Sequence, residues 1–241
     1  MVLTYIVEEV MMMDLISGAL LVGSMYTAYE VIERLDIGEI VASRFKTYDE
    51  YSLVLGYRRK GPFKIPISVS MLVCPHLLIA GLSSNGKTKC VEYAIKDKSN
   101  VVILNAFSED FKSCKCRRII GNDKILKFLT GLLENPYKRE TPLYVVIDEL
   151  LVLCADKKIT KAITDLLATA RHWNIFLIGV SQVATKNDIG FKQLFNSRCT
   201  FRQVDSSSYS TVLGTTVEEK LKKREFLLYS DDVYKGRTYD V

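Results

Sequence analysis

Residues 77–88 read LLIAGLSSNGKT. A buried-looking run, Leu77 to Ala80, stops at Gly81, and Gly86, Lys87 and Thr88 follow at the spacing G-x-x-x-x-G-K-[ST]. That spacing is a phosphate cradle. Gly81 lets the chain leave a strand sharply. Leu82, Ser83, Ser84 and Asn85 span the loop, and Gly86 lets main-chain N–H groups close on phosphate at the positive end of the next helix. Lys87 reaches the β and γ phosphates, the Thr88 hydroxyl can ligate Mg²⁺, and Lys89 completes the first turn. The expected ligands are therefore ATP and Mg²⁺.

The chain on either side alternates strand and helix. Asn100–Ala106, Leu143–Asp148 and Asn174–Gln182 are apolar runs without polar alternation, as in strands covered on both faces. Arg117–Ile120 reads as a further strand. Helical spacing covers Lys87–Lys96, Asp123–Glu134 and Ile159–Arg171, with Ile159, Ile163, Leu166, Leu167 and Ala170 on one face. The alternation predicts an α/β fold with a mainly parallel sheet and helices on both faces. Tyr51–Leu55 and Ile65–Val69 read as a hairpin turning around Arg58–Pro62. Cys199–Val204, Glu225–Ser230 and Gly236–Val241 read as added strands at the sheet edge. Residues 1–50 read as a helical region and 51–241 as the nucleotide-binding domain.

Two further elements fit the loop. LYVVIDEL ends a strand in Asp148, a carboxylate able to hold Mg²⁺ through water, and Glu149 follows as general base or orienting group for an attacking water. Gln182, at the tip of the next long strand, stands where a side chain can sense the γ-phosphate or that water. An acidic pair after a strand also serves as a helix N-terminal cap. The loop upstream favours the catalytic reading, and with it hydrolysis over binding alone.

Composition sets the partner class. The chain has 241 residues with a net charge of +5, but residues 1–50 carry −6, leaving +11 on the rest. A basic body suits a polyanion such as nucleic acid or an anionic membrane surface. Basic runs occur at Phe111–Arg118, Lys157–Lys161 and Lys220–Arg224. Each alone is an ordinary solvated face, and each could meet phosphates. Six cysteines lack framework spacing and suit reduced thiols in a cytoplasmic protein. The Cys114-x-Cys116 pair has no second pair or nearby histidine for zinc. The uncharged stretch Leu15–Tyr29 is shorter than the ~20 residues a spanning helix needs, so no integral span is expected. A cytoplasmic location, free or peripheral to the membrane, follows.

Four ordered blocks resemble the FtsK/SpoIIIE translocases. They are the segment from Tyr51 through PHLLIAGLSSNGKT, VVIDELLVL, ITDLLATARHWNIFLIGVSQ and FNSRCTFRQVDSSSYSTVLG, together spanning residues 51–214. The resemblance implies a RecA-like P-loop ATPase core assembled as a homo-oligomeric ring, usually a hexamer. Such a ring pumps double-stranded DNA, and a neighbouring subunit supplies an arginine to the γ-phosphate. Arg171, Arg198 and Arg202 are the candidates. The compact outline suits a mobile element or virus, with a relaxase or a capsid or portal protein as partner, in conjugative transfer or genome packaging. A protein-secretion ATPase of the same type, or a nucleotide-switched assembly protein with little turnover, are the alternatives.

Overall fold

Apolar runs without polar alternation form the centre of the sheet. In the computed structural model, which describes residues 48–104, 111, 114, 116–182, 190–217 and 220–239, β3 (Leu77–Ala80), β4 (Val101–Leu104) and β7 (Ile175–Ser181) are buried at every position. With β6 (Leu143–Ile147) they run parallel, as two-sided burial predicts. β5 (Arg117–Ile119) pairs in parallel with β4, and β8 (Ser197–Phe201) with β3. Beyond β8 the sheet turns antiparallel through β9 (Glu225–Tyr229), β10 (Val233–Arg237) and β1 (Ser52–Lys60), with β2 (Phe63–Ser70) outermost. The order is β2-β1-β10-β9-β8-β3-β7-β6-β4-β5.

Period-two alternation sends neighbouring side chains to opposite faces. Leu78 and Ala80 pack with α2 (Asn122–Glu134), α3 (Leu150–Leu153) and α4 (Lys157–Thr169). Leu77 and Ile79 pack on the other face with α1 (Lys87–Ile95). A last helix, α5 (Ser206–Leu213), follows β8. α4 shows how local chemistry fixes these elements. The Asp156 side chain accepts from the N–H groups of Lys158 and Ile159 at 2.8 and 3.3 Å, capping two orphan donors. The buried Ile159, Ile163, Leu166 and Leu167 then recur on one face, and a 3-10 turn, Ala170–Trp173, ends the helix.

The tail differs from the sequence expectation. The strand in Cys199–Val204 is β8, which ends at Phe201 and lies in the middle of the sheet, not at its edge. It is buried at four of its five positions because helices and neighbours cover both faces. The final strand, Val233–Arg237, starts three residues earlier than expected, because the ladder with β9 starts at Val233 opposite Tyr229. The edges are β2 and β5. The helical reading of residues 1–50 lies outside the described residues for all but its last three positions. Among the described residues, no helix is long and apolar enough to cross a membrane.

Gly56 explains one glycine of the hairpin. A Cβ there would press on the Arg237 carbonyl oxygen and sit 2.7 Å from the Phe226 ring. Backbone on one side leaves no room to relax. Gly56→Ala should therefore destabilise the domain by about 2–3 kcal/mol, measured by denaturant unfolding. An unchanged midpoint would contradict this packing.

Candidate functional site

The loop after β3 is built from inside and tied on both flanks. Gly81 has a φ of 147°, and a Cβ on it would stand 2.7 Å from the Phe201 Cβ, so only glycine fits where the chain leaves the strand. The Gly81 N–H donates to the Ser181 carbonyl at 3.2 Å, and the Leu82 N–H to the Arg202 carbonyl at 3.0 Å. The loop thus hangs between the ends of β7 and β8. Its centre, Ser83-Ser84-Asn85, is closed by Asn85. This buried amide donates to the carbonyls of Ser83 at 3.0 Å and Leu82 at 3.3 Å. Gly86, with a φ of 106°, caps α1 and accepts from the Cys90 N–H at 2.9 Å.

Lys87 points back into the loop. Its Nζ donates to the Gly81 carbonyl at 2.6 Å and the Leu82 carbonyl at 3.0 Å. Burial lowers its pKa, while the charges of Glu149 and then Asp148 work the other way. Both acids are therefore electrostatic neighbours of the loop lysine. Thr88 is half-buried in the first turn of α1. Lys89 turns aside to a 3.0 Å ion pair with the buried Glu92.

β6 delivers the acidic pair. Asp148 is 4% exposed, with its N–H on the Leu104 carbonyl at 2.9 Å. Glu149 is half-buried and left-handed, with φ 49° and ψ 50° at the N-cap of α3. A non-glycine residue held there stores strain of about 1 kcal/mol or more, a device common at functional sites. β7 lies between β3 and β6, with Ser181 opposite Ala80 and Gly179 opposite Ile147. Gln182, one residue past β7, therefore stands between the loop and the acids. Its Nε2 donates to Glu149 Oε1 at 3.0 Å. Loop, carboxylates and amide thus meet at the C-terminal ends of parallel strands, where open α/β sheets bind ligands.

The three arginines lie apart. Arg202 is exposed, directly after β8, and its carbonyl holds the loop. Arg171 is exposed in the 3-10 turn before β7. The seven residues of β7 separate it from Gln182 by roughly 20 Å, too far to serve its own loop. Arg198 stacks over the Tyr229 ring at 5.2 Å, and burial lowers its pKa. A Cβ on Gly214 would meet Arg198 Nη1 at 2.7 Å, so the guanidinium is wedged beneath the end of α5.

Two residues at the loop carried no local signal. Arg224 belongs to a run that reads as a basic segment, yet its N–H donates to the Asn85 carbonyl at 3.1 Å. Thr238, in the tail, donates its N–H to the Arg224 carbonyl at 3.0 Å. Among the described residues, the lysines of these runs, Lys157, Lys158, Lys161, Lys220, Lys222 and Lys223, are exposed.

No protein-family profile matches the chain. It is 22% identical over 250 aligned positions to the DNA translocase FtsK of Staphylococcus aureus, covering 83% of this chain and 31% of that protein. The chain thus spans about a third of its relative's length. Its architecture recurs in solved structures, among them the following three. The pCW3 conjugation coupling protein TcpA, in a monomer form with ATPγS, matches at a TM-score of 0.65 and 17% identity, over 81% of this chain and 68% of TcpA. The cytoplasmic domain of the Thermomonospora curvata type VII secretion ATPase EccC matches at 0.64 and 13%, over 79% and 26%. The genome packaging NTPase B204 of Sulfolobus turreted icosahedral virus 2, with AMPPCP, matches at 0.51 and 13%, over 70% and 99%. The chain is thus similar in sequence to FtsK and shares the fold of these solved ATPases.

Proposed function

We propose that the chain is an ATP hydrolase that drives double-stranded DNA through a ring of its own copies. The observation that carries the hydrolytic part is the bond from Gln182 Nε2 to Glu149 Oε1 beside the loop. A loop that only held nucleotide would need neither a strained carboxylate nor an amide fixing one of its oxygens. Here the amide holds one oxygen and leaves the other for a water proton. Lys87, already desolvated, exchanges the Gly81 and Leu82 carbonyls for phosphate oxygens without a large change in hydration. Glu149 takes the proton of the attacking water, and the main-chain N–H groups of the loop receive the charge that develops on the phosphates.

Mg²⁺ fits the hard oxygen donors present. Asp148 is a buried carboxylate whose charge reaches Lys87, and Thr88 offers a hydroxyl. When bound there, the ion would neutralise charge on the β and γ phosphate oxygens.

The DNA substrate rests on the basic body of the chain and on what its relatives do. FtsK is a DNA translocase, TcpA a conjugation coupling protein and B204 a genome packaging NTPase. A ring suits the placement of Arg171, exposed at the end of β7 that its own loop cannot use and so available to a neighbour's. Arg198, wedged beneath α5, is the weaker candidate for that role. A relaxase, or a capsid or portal protein, is the partner class for transfer or packaging. The likeness to EccC keeps a secretion motor as the second reading.

The test is ATP turnover by the assembled protein with and without duplex DNA. Stimulation of about tenfold or more by duplex is expected. An assembled ring that hydrolyses ATP at one rate in both conditions would overturn the DNA reading. Co-purification with a small secreted protein would favour the second.

A further inference from the structure

Arg224 occupies the turn that opens β9, with a φ of 69°. An L-residue held in the left-handed region loses of order 1 kcal/mol, and this one has no Asn or Gly chemistry to soften it. The strain aims its main chain at two partners. The Arg224 N–H donates to the Asn85 carbonyl at 3.1 Å, and the Arg224 carbonyl accepts from the Thr238 N–H at 3.0 Å. Asn85 is also the residue whose side chain closes the loop onto Leu82 and Ser83. The Arg224 stem lies along the loop as well. A Cβ placed on Gly86 would come within 3.4 Å of Arg224 Cγ and 3.5 Å of Thr238 Oγ1. Thr238 is 2% exposed, and its hydroxyl has no hydrogen-bond partner among the described residues.

A continuous link therefore runs from the centre of the loop through Asn85 and Arg224 to Thr238, at the end of the β9–β10 pair. We propose that Arg224 is a positioning residue for the phosphate loop, acting through its main chain, and that the C-terminal strand pair sets the loop's shape for nucleotide. The inference rests on reading the loop as a nucleotide site. Left to itself, a loop of Ser-Ser-Asn has many conformations, and the left-handed arginine removes most of them before the phosphates arrive. The coupling is reciprocal. Nucleotide that orders the loop must also tighten residues 224 and 238.

Two substitutions separate the main chain from the side chain. Arg224→Pro excludes the positive φ and removes the N–H. Arg224→Gly keeps both and removes only the side chain. Binding of ATPγS and steady-state ATP hydrolysis are measured for each. Arg224→Pro should raise Kd and KM about fivefold to tenfold, the loss of roughly one net hydrogen bond. Its kcat at saturating ATP should change less than about threefold, since Lys87, Glu149 and Gln182 remain. Arg224→Gly should restore Kd to within about twofold of the wild type. A Kd for Arg224→Pro within twofold of wild type would overturn the assignment. So would an Arg224→Gly protein weakened as much as Arg224→Pro, which would move the effect to the guanidinium.

If Arg224→Pro fails to fold, by circular dichroism, hydrogen exchange of the wild type decides. ATPγS should slow exchange in residues 222–226 and 236–239 together with 81–88, and protection confined to 81–88 would overturn the proposal. Wild-type protein that binds no ATPγS at all would overturn the nucleotide reading itself. Wild type that binds normally, beside an indifferent Arg224→Pro, would overturn only the role of Arg224.

Discussion

Glu149→Gln is expected to lower ATP turnover by about 10²- to 10³-fold while leaving nucleotide binding intact. Glutamine matches glutamate in size and keeps an oxygen for the 3.0 Å bond from Gln182 Nε2. The left-handed backbone at position 149 and the α3 cap are untouched, since both belong to the main chain. What is lost is the base, as an amide cannot take the proton of the attacking water. The variant should therefore hold ATP without consuming it. Its thermal midpoint should rise with added ATP at least as far as that of the wild type. Single-turnover hydrolysis and a thermal shift titration read the two halves separately. Turnover within about threefold of the wild type would show that the Glu149 carboxylate is not the base. A wild type that binds ATP but turns it over little, with Glu149→Gln unchanged, would favour the nucleotide-switched assembly protein over the motor.

The pieces of this site were legible in sequence because each depends on neighbours in the chain. Gly81 to Thr88, Asp148 with Glu149, and Gln182 are each a strand end followed by a polar group, and strand ends can be read locally. Their convergence was not legible, because it depends on β7 lying between β3 and β6, and the order of parallel strands is a non-local property. The same limit misplaced β8. A short mixed run such as Cys199-Thr200-Phe201, followed by Arg202 and Gln203, reads the same at an edge as in the middle, and only the antiparallel strands beyond it decide. Asn85 and Arg224 were hidden for different reasons. Asn85 reads as loop, but its amide bonds depend on a turn geometry that the letters SSN do not announce. Arg224 followed two lysines and read as a solvated charge, since positive φ at an arginine has no sequence signature. Arg198, matched in order with the family blocks, proved to be packed against Tyr229 and Gly214. A matching position alone does not tell a wedged arginine from a catalytic one.

His76 gives the domain an acid-sensitive joint, and the expected loss of stability is about 2 kcal/mol on going from pH 7 to pH 5. The residue stands just before β3 with a φ of 65° and is 1% exposed. β3 pairs with β7 from Leu77 opposite Ile178, so the Leu177 N–H lies at the ladder's end. The imidazole supplies the missing acceptor, as Leu177 N–H donates to His76 Nδ1 at 3.0 Å. The ring thus extends the sheet between the loop strand and the Gln182 strand, and it can do so only with Nδ1 unprotonated. Burial, first, and the nearby Arg171 charge lower its pKa from 6.5 to about 4, against the opposing effect of the Leu167 main chain. The sign follows directly. Between pH 6.5 and 4 the unfolded chain binds a proton that the folded chain refuses, so stability falls as pH falls through that window. Below about 4 the contribution is fully lost, a total of about 3 kcal/mol. His76→Asn tolerates the left-handed φ, and its side-chain oxygen can accept from Leu177 without titrating. The variant should be less stable than wild type at pH 7 by about 1–2 kcal/mol, for lost packing. The gap should close or reverse by pH 5. Urea unfolding of both proteins at pH 7, 6 and 5 measures it. Parallel pH profiles for the two would show that His76 is not the titrating joint.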